Sequence, residues 1–220
     1  MKNFNVVALD RPMKLNPKAP DAIEVDFERK IEMTMPEGKI FALEEEAATV
    51  AGNVMPNPLT LRANLGDCIK VTLKNKMKAS RASFFVPEPC LRSARQPGPE
   101  RRQNNGGDQT VGPGESRNYT YYAHPANKET TSLVWDGGNI VVNPRNGLYG
   151  AIVIGPKGSQ YRDPVTGADV SLKNTWRADV IVDAGLPKNV GKRNYRDVAL
   201  FFQDEDNIIG TAFMPYDTRT

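Results

Sequence analysis

The feature that most constrains this chain is a strongly apolar segment, LYGAIVI, which runs from Leu148 to Ile154. It follows an Asn/Pro/Arg/Gly loop that begins at Asn143, and a Gly-Pro pair ends it. These turn residues bound the segment sharply on both sides, and its β-branched residues favour an extended backbone. A segment of this length and apolarity is typical of a strand buried in a sandwich core. We therefore predict that it forms the central strand of a β-barrel or β-sandwich.

Similar short segments, separated by turn residues, recur along the whole chain of 220 residues. In Cys68–Leu73 apolar and polar side chains alternate, which predicts a strand with one exposed face. Between Cys90 and Gly114 the arginine- and glycine-rich sequence predicts a long loop. No internal repeat, heptad pattern or long helix is visible, so the spacing favours a Greek-key sandwich or barrel. The predicted strands are Phe4–Leu9, Glu24–Met33, Lys39–Glu45, Leu59–Ala63, Cys68–Leu73, Ala82–Val86, Ser116–Ala123, Thr131–Trp135, Leu148–Ile154, Ala178–Asp183 and Asp197–Gln203.

The composition limits the class of protein but does not indicate a function. Hydrophobic residues make up 39% of the chain, charged residues 25%, and there are 17 prolines and 18 glycines. These values are typical of a globular protein with many turns. A net charge of +3 does not by itself indicate nucleic acid binding. No apolar run is long enough for a transmembrane helix, and no signal peptide is visible, so we expect neither a membrane nor a nucleic acid partner and leave the compartment open.

Three segments, in order, resemble the cupredoxin domains of multicopper oxidases. The first is PLTLRANLGDCIKVTLKN at 58–75, with the Gly-Asp turn before an alternating strand. The second is Gly112–Ser116, a Pro-Gly-x-Ser turn that leads into the tyrosine-rich strand. The third is Gly147–Ile154, which looks like the Gly-hydrophobic-Tyr-Gly core strand of these domains. The termini further resemble large multi-domain bacterial oxidases of the manganese-oxidising type. The resemblance implies an all-β, cupredoxin-like Greek-key fold with its core at residues 39–156. An N-terminal strand and extension at 1–38 precede this core, and C-terminal strands at 157–220 complete or extend the domain.

The same resemblance implies two places for copper ligands, and both lack them here. Where the family carries His-x-His after the Gly-Asp turn, this chain has Phe85 and Pro87. Where it carries His-x-His or His-Cys-His before the core strand, this chain has Trp135 and Asp136. A blue copper site needs two imidazoles and a thiolate, and an oxygen-reducing copper cluster needs still more imidazoles. The chain contains one histidine, His124, so these four residues are interpreted as vestigial ligand positions.

Three further features leave other interpretations open. His124 is a weak candidate for a metal ligand shared with a neighbouring chain, although a surface or turn histidine is the simpler interpretation. Cys68 and Cys90 permit one disulfide, because one opens a strand and the other follows a nearby strand, but sequence does not give their separation. The acidic turn at Asp204–Asn207 has ligand types suited to Ca²⁺ without the spacing of a calcium loop.

The sequence therefore predicts a domain or subunit that is not itself catalytic and holds no cofactor, in a family whose cofactor is copper. Its expected partners are other cupredoxin domains or chains that carry copper. One alternative is a self-associating binding module that uses the 90–114 loop. Another is an oxidase component with copper bound at a subunit interface. The family resemblance suggests a periplasmic or secreted protein.

Overall fold

The computed structural model describes residues 1–14, 34–49, 57–86, 92–93 and 109–202. Within these ranges almost all regular structure is strand, with one four-residue helix and short 3-10 turns, so the predicted all-β class is confirmed. In the part of the chain that is described, no helix is long and apolar enough to cross a membrane. The strands are β1 (Lys2–Asp10), β2 (Met13–Lys14), β3 (Thr34–Met35), β4 (Lys39–Leu43), β5 (Leu59–Asn64), β6 (Cys68–Asn75), β7 (Arg92–Ser93), β8 (Ser116–Tyr122), β9 (Thr130–Trp135), β10 (Tyr149–Gly155), β11 (Gln160–Arg162), β12 (Arg177–Ile181) and β13 (Tyr195–Val198); the helix α1 is Val142–Arg145.

Two sheets enclose the main core. One sheet has the strand order β4-β1-β6-β8-β7 and the other the order β5-β10-β9. Each contains one parallel pair, β1 with β6 and β5 with β10, and the remaining pairs are antiparallel. Because side chains alternate across a strand, each sheet presents an apolar row to the space between them. The buried core includes Phe4, Phe41, Leu61, Ile69, Val71, Leu73, Phe84, Tyr119, Tyr121, Val134 and Ile152.

The predicted central strand is observed almost as expected. β10 lies between β5 and β9, and the prediction of Leu148–Ile154 differs from it by one residue at each end. Ile152 and Ile154 face the main core, whereas Ala151 and Val153 are buried on the opposite face. Gly150 is required here, since a Cβ atom at this position would lie 2.5 Å from the carbonyl oxygen of Leu59. Close approach of β5 to β10 therefore depends on this glycine.

A third sheet has the order β11-β12-β13, and its two edge strands form hydrogen bonds with β5. The fully buried Arg62 of β5 forms an ion pair with Asp197 of β13 at 2.9 Å. Its Nη1 also donates to the carbonyl of Thr175 at 2.5 Å. Tyr161 of β11 donates its hydroxyl to the carbonyl of Ala63 at 2.8 Å. Residues 157–202 thus pack on the sandwich and bury polar groups of its outer face.

Several predicted elements differ from the observed ones. Ala82–Val86 is not a strand: Ala82 bridges to Val111 while Phe85 bridges to Trp135, so the segment changes partner before a ladder can form. Lys39–Glu45 ends as a strand at Leu43 and continues as a 3-10 turn. The last predicted strand is shorter and shifted, because its pairing with β12 ends at Val198. Within the predicted 90–114 loop, Arg92–Ser93 pairs with β8. Glu24–Met33 and Asp204–Asn207 lie outside the described residues.

Candidate functional site

The candidate site lies where the loop 136–146, which joins β9 to β10, meets the segment 81–86. The structure brings together three of the four predicted vestigial positions here. The backbone of Phe85 donates to the carbonyl of Trp135 at 3.0 Å and accepts from its N–H at 2.8 Å. Asp136 follows directly, and Pro87 lies outside the described residues. The two places at which the family resemblance predicts copper ligands are therefore neighbours in space.

The carboxylate of Asp136 is the centre of a buried hydrogen-bond network. Asp136 is completely shielded from solvent. Its Oδ1 accepts the backbone N–H of Ser83 at 2.6 Å. Its Oδ2 accepts the backbone N–H of Asn139 and the side-chain amide of Asn143, both at 2.9 Å. A single carboxylate thus satisfies donors from two parts of the loop and from a segment more than fifty residues earlier in the chain.

The surrounding contacts hold the loop closely against the 81–86 segment. Ser83 Oγ accepts the N–H of Gly137 at 2.6 Å, and the Asn143 amide also donates to the carbonyl of Arg81 at 2.8 Å. A Cβ atom at Gly138 would lie 2.3 Å from that carbonyl oxygen, so the backbones are in direct contact. We call Arg81, Ser83, Asp136, Asn139 and Asn143 the Asp136 network.

Burial and hydrogen bonding shift the pKa of Asp136 in opposite directions. Desolvation raises the pKa of this carboxyl group, and the donated hydrogen bonds from Asn139, Ser83, Asn143 and Gly138 offset that rise only in part. Such a group resembles those tuned for proton transfer. However, its oxygens are enclosed by groups of its own chain, and no substrate can reach them from solvent.

The residues at these positions do not fit a copper site. Phe85 and Trp135 have no side-chain atom that ligates copper, and the Asp136 oxygens are engaged by donors of the protein. The side-chain oxygen of Asn143 is buried without a hydrogen-bond partner, but a single amide oxygen does not replace imidazoles and a thiolate. Among the described residues, no group of three or more His, Cys, Asp or Glu side chains is arranged to hold a metal ion.

The other predicted site residues lie elsewhere. His124 follows β8, and its Nδ1 accepts the N–H of Ala126 at 3.0 Å. Its ring contacts Tyr122 edge-on, with 5.7 Å between the ring centres. Cys68 is half-buried on β6 and forms no disulfide with a described residue. Its predicted partner, Cys90, lies outside the described residues, so the disulfide stays a prediction.

Sequence reasoning missed the roles of Ser83, Asn139 and Asn143. A signal was present, because Asp136 is followed by two glycines and then by Asn139 and Asn143, and Asp and Asn readily cap backbone groups in turns. No sequence pattern around Ser83 indicated its role in this network. The loop also exposes three consecutive β-branched residues: Ile140 is 66% exposed, Val141 55% and Val142 41%. Three adjacent apolar side chains this open are unusual for a solvated turn.

Comparisons with known proteins place multicopper oxidases among the structures similar to this chain. A multicopper oxidase from Pseudomonas thermotolerans matches with a TM-score of 0.44 and 14% identity, over 72% of this chain and 30% of its own. A second multicopper oxidase matches with a TM-score of 0.43 and 19% identity, over 74% and 45%. A metallo-oxidase from Campylobacter jejuni matches with a TM-score of 0.43 and 14% identity, over 72% and 27%. The chain therefore spans less than half the length of these proteins.

No family model matches the sequence. No curated protein matches it either.

Proposed function

We propose that this chain is a copper-ligand-free, cupredoxin-type domain that serves the structure and assembly of a multicopper-oxidase-like protein. The observation that carries the proposal is the Asp136 network, which occupies the loop where the family resemblance predicts copper ligands. There a buried carboxylate joins the two ligand-bearing segments through hydrogen bonds. In this proposal the network performs the structural part of a metal site, since it holds the two segments in register without an ion.

The exposed residues Ile140, Val141 and Val142 supply the contact surface in this proposal. They project from the loop that the Asp136 network holds in place, so their apolar surface is presented on a fixed backbone. Burying such side chains against a partner is favourable by about 25 cal/mol per Å² of apolar surface. We propose that the partner is a copper-bearing cupredoxin domain, in the same polypeptide or in another chain.

The first test is the copper content of the purified chain after loading with excess Cu²⁺ and thorough dialysis, measured by elemental analysis. We expect well under about one copper per chain, because the residues present do not supply the ligands of a copper site. The same sample should not oxidise phenols, Mn²⁺ or Fe²⁺ in the presence of added copper. Firm retention of about one copper or more, or any such oxidation, would contradict the proposal.

A His124→Ala variant separates the proposal from an oxidase component with copper bound between subunits. His124 is partly exposed, so a neighbouring chain can reach its ring. If copper were retained in the wild type and lost in this variant, the interfacial copper site would replace the structural role. The variant Tyr122→Phe is a matched control, because it changes the ring that packs on His124 without removing an imidazole.

A further inference from the structure

A cavity of about 460 Å³ lies where three separate parts of the chain meet. Its walls are Leu65 in the turn after β5, residues 125–129 between β8 and β9, and the segment 188–192 between β12 and β13. The turn after β5 is held against β8, since Gly66 donates to the carbonyl of Ala123 at 2.6 Å. Volumes of this size are typical of small-molecule sites, which also favour junctions between structural units.

Most of the charged side chains around this cavity are cationic. Lys128, Lys188 and Lys192 contribute three ammonium groups, and Glu129 contributes one carboxylate. We call these four residues, together with Leu65, the lysine cavity. Three positive groups against one negative group leave a net positive charge at neutral pH. Since these groups surround one recess, their positive potentials add there.

Two of the ammonium groups are held in position by the protein. Lys188 donates to the carbonyl of Pro125 at 3.0 Å, which joins the 188–192 segment to the opposite wall. Lys192 forms an ion pair with Glu129, and each of these side chains is about one-third exposed. Each ammonium has three donor hydrogens, so these contacts leave donors available to a ligand. Lys128 is exposed and makes no ion pair among the described residues.

We propose that the lysine cavity binds a small polyvalent anion, of the phosphoryl or polycarboxylate class. An ammonium group binds phosphate and carboxylate oxygens as a compact point charge, and charge-assisted hydrogen bonds are about twice as strong as neutral ones. A ligand with several negative charges can pair with more than one of these lysines, whereas a monovalent ion offers a single charge. This site lies outside the Asp136 network and does not depend on the function proposed above.

The test is isothermal titration calorimetry of the full chain with pyrophosphate and, separately, with citrate. We expect one saturable site per chain for at least one of these anions, with affinity that falls as NaCl is added, because exposed charges are screened by salt. Tighter binding of pyrophosphate identifies a phosphoryl ligand, and tighter binding of citrate identifies a polycarboxylate. Absence of saturable binding of both anions would overturn the proposal.

Substitutions of lysine residues test whether the anion binds in the lysine cavity. The double variant Lys188→Ala/Lys192→Ala should weaken binding by about tenfold or more, since it removes two donors of charge-assisted hydrogen bonds to the anion. The double variant Lys70→Ala/Lys74→Ala is the matched control, because it removes the same charge from β6; it should change the affinity by less than about twofold. Equal weakening by both double variants would show a general charge effect and reject the site.

A third variant distinguishes loss of the binding site from loss of folding. Glu129→Gln keeps the shape of the side chain, removes the repelling carboxylate and releases Lys192. It should tighten anion binding by about threefold, which is the order of a partly exposed charge interaction. Since a misfolded chain does not gain affinity, this result cannot arise from damage to the fold. Unchanged or weaker binding in Glu129→Gln would contradict the proposed role of the cavity.

Discussion

At the scale of single residues, Asp136 is a hydrogen-bond acceptor at a position where the family resemblance predicts a copper ligand. Its carboxylate is surrounded by donors only: backbone N–H groups and one side-chain amide. A carboxylate suits this position because both of its oxygens accept hydrogen bonds and neither donates. An asparagine would keep the shape but would turn its NH₂ group toward N–H donors.

We therefore expect Asp136→Asn to lower the free energy of unfolding by about 1–3 kcal/mol, the cost of leaving a buried donor unsatisfied. Urea denaturation followed by circular dichroism measures the change. Asp183→Asn is the matched control: this exposed aspartate accepts a local hydrogen bond from Gly185 at 3.0 Å and should matter much less. Equal stability of wild type and Asp136→Asn would show that the network does not hold the loop.

At the scale of elements, Asp10 stabilises the pairing of β1 with β4. It is the last residue of β1 and lies opposite Lys39, the first residue of β4. Its Oδ1 forms an ion pair with Lys39 Nζ at 2.6 Å, and its Oδ2 accepts the N–H of Lys78 at 2.7 Å. Partial burial by itself raises the pKa of Asp10, but the hydrogen bonds and charges of Lys39 and Lys78 outweigh it and lower the pKa. The ionised carboxylate thus ties the end of β1 both to β4 and to the segment that follows β6.

The sign of the pH dependence follows from this lowered pKa. A carboxylate with a lower pKa in the folded state stabilises the fold above its unfolded pKa of about 3.9, and the contribution is lost as the pH falls through the folded value. Asp10→Asn should therefore cost about 1 kcal/mol or less at neutral pH. The difference from wild type should shrink as the pH falls below the unfolded pKa of Asp10 and disappear below its lower folded pKa.

Thermal unfolding at several pH values measures this difference for Asp10. Glu45→Gln serves as a comparison, because Glu45 pairs with Lys173 on the surface and this pair bridges no strands of one sheet. A stability difference between wild type and Asp10→Asn that stayed constant across the acid range would exclude the ionised carboxylate as its source.

At the scale of the whole molecule, residues 157–202 complete the packing of the sandwich. They form hydrogen bonds with β5, and they supply the partner of a buried cation. Arg62 has no exposed side-chain surface, and its Nη2 has no hydrogen-bond partner, so Asp197 and the Thr175 carbonyl provide its compensation. A charge in such a position is costly without its partner. The outer sheet is thereby coupled to the fold of the core.

Two aspartates of the outer sheet, each paired with an arginine, allow a controlled test of this coupling. Asp197→Asn leaves the buried Arg62 without a counter-ion and should destabilise the protein by about 3 kcal/mol or more. Asp179→Asn breaks the pair with Arg196 on the exposed face and should have a far smaller effect. Equal losses of stability in the two variants, measured by urea denaturation, would show that residues 157–202 are not coupled to the core through Arg62.

Much of the architecture could be predicted because local sequence encodes it directly. The apolar segment bounded by turn residues located β10, the alternation after Cys68 located β6, and the Gly-Asp turn was observed with Gly66 at φ +93°. These features depend on side-chain periodicity and on the conformational freedom of glycine, both of which are properties of a few neighbouring residues. The prediction of a strand at Ala82–Val86 was wrong, because the composition of this segment does not reveal that its backbone pairs with two different parts of the chain.

By itself, the sequence determined the all-β class, most strand positions, and the shortage of imidazoles and thiolates for a copper site. Only the tertiary structure decided which hydrogen bonds form at the positions where the family resemblance predicts copper ligands. Asp136 meets Ser83 across 53 residues of chain, and Arg62 meets Asp197 across 135. The lysine cavity likewise gathers its charges from two distant segments. Periodicity and turn chemistry act over a few residues, whereas these contacts depend on how the sheets stack, which is set by burial of the whole core.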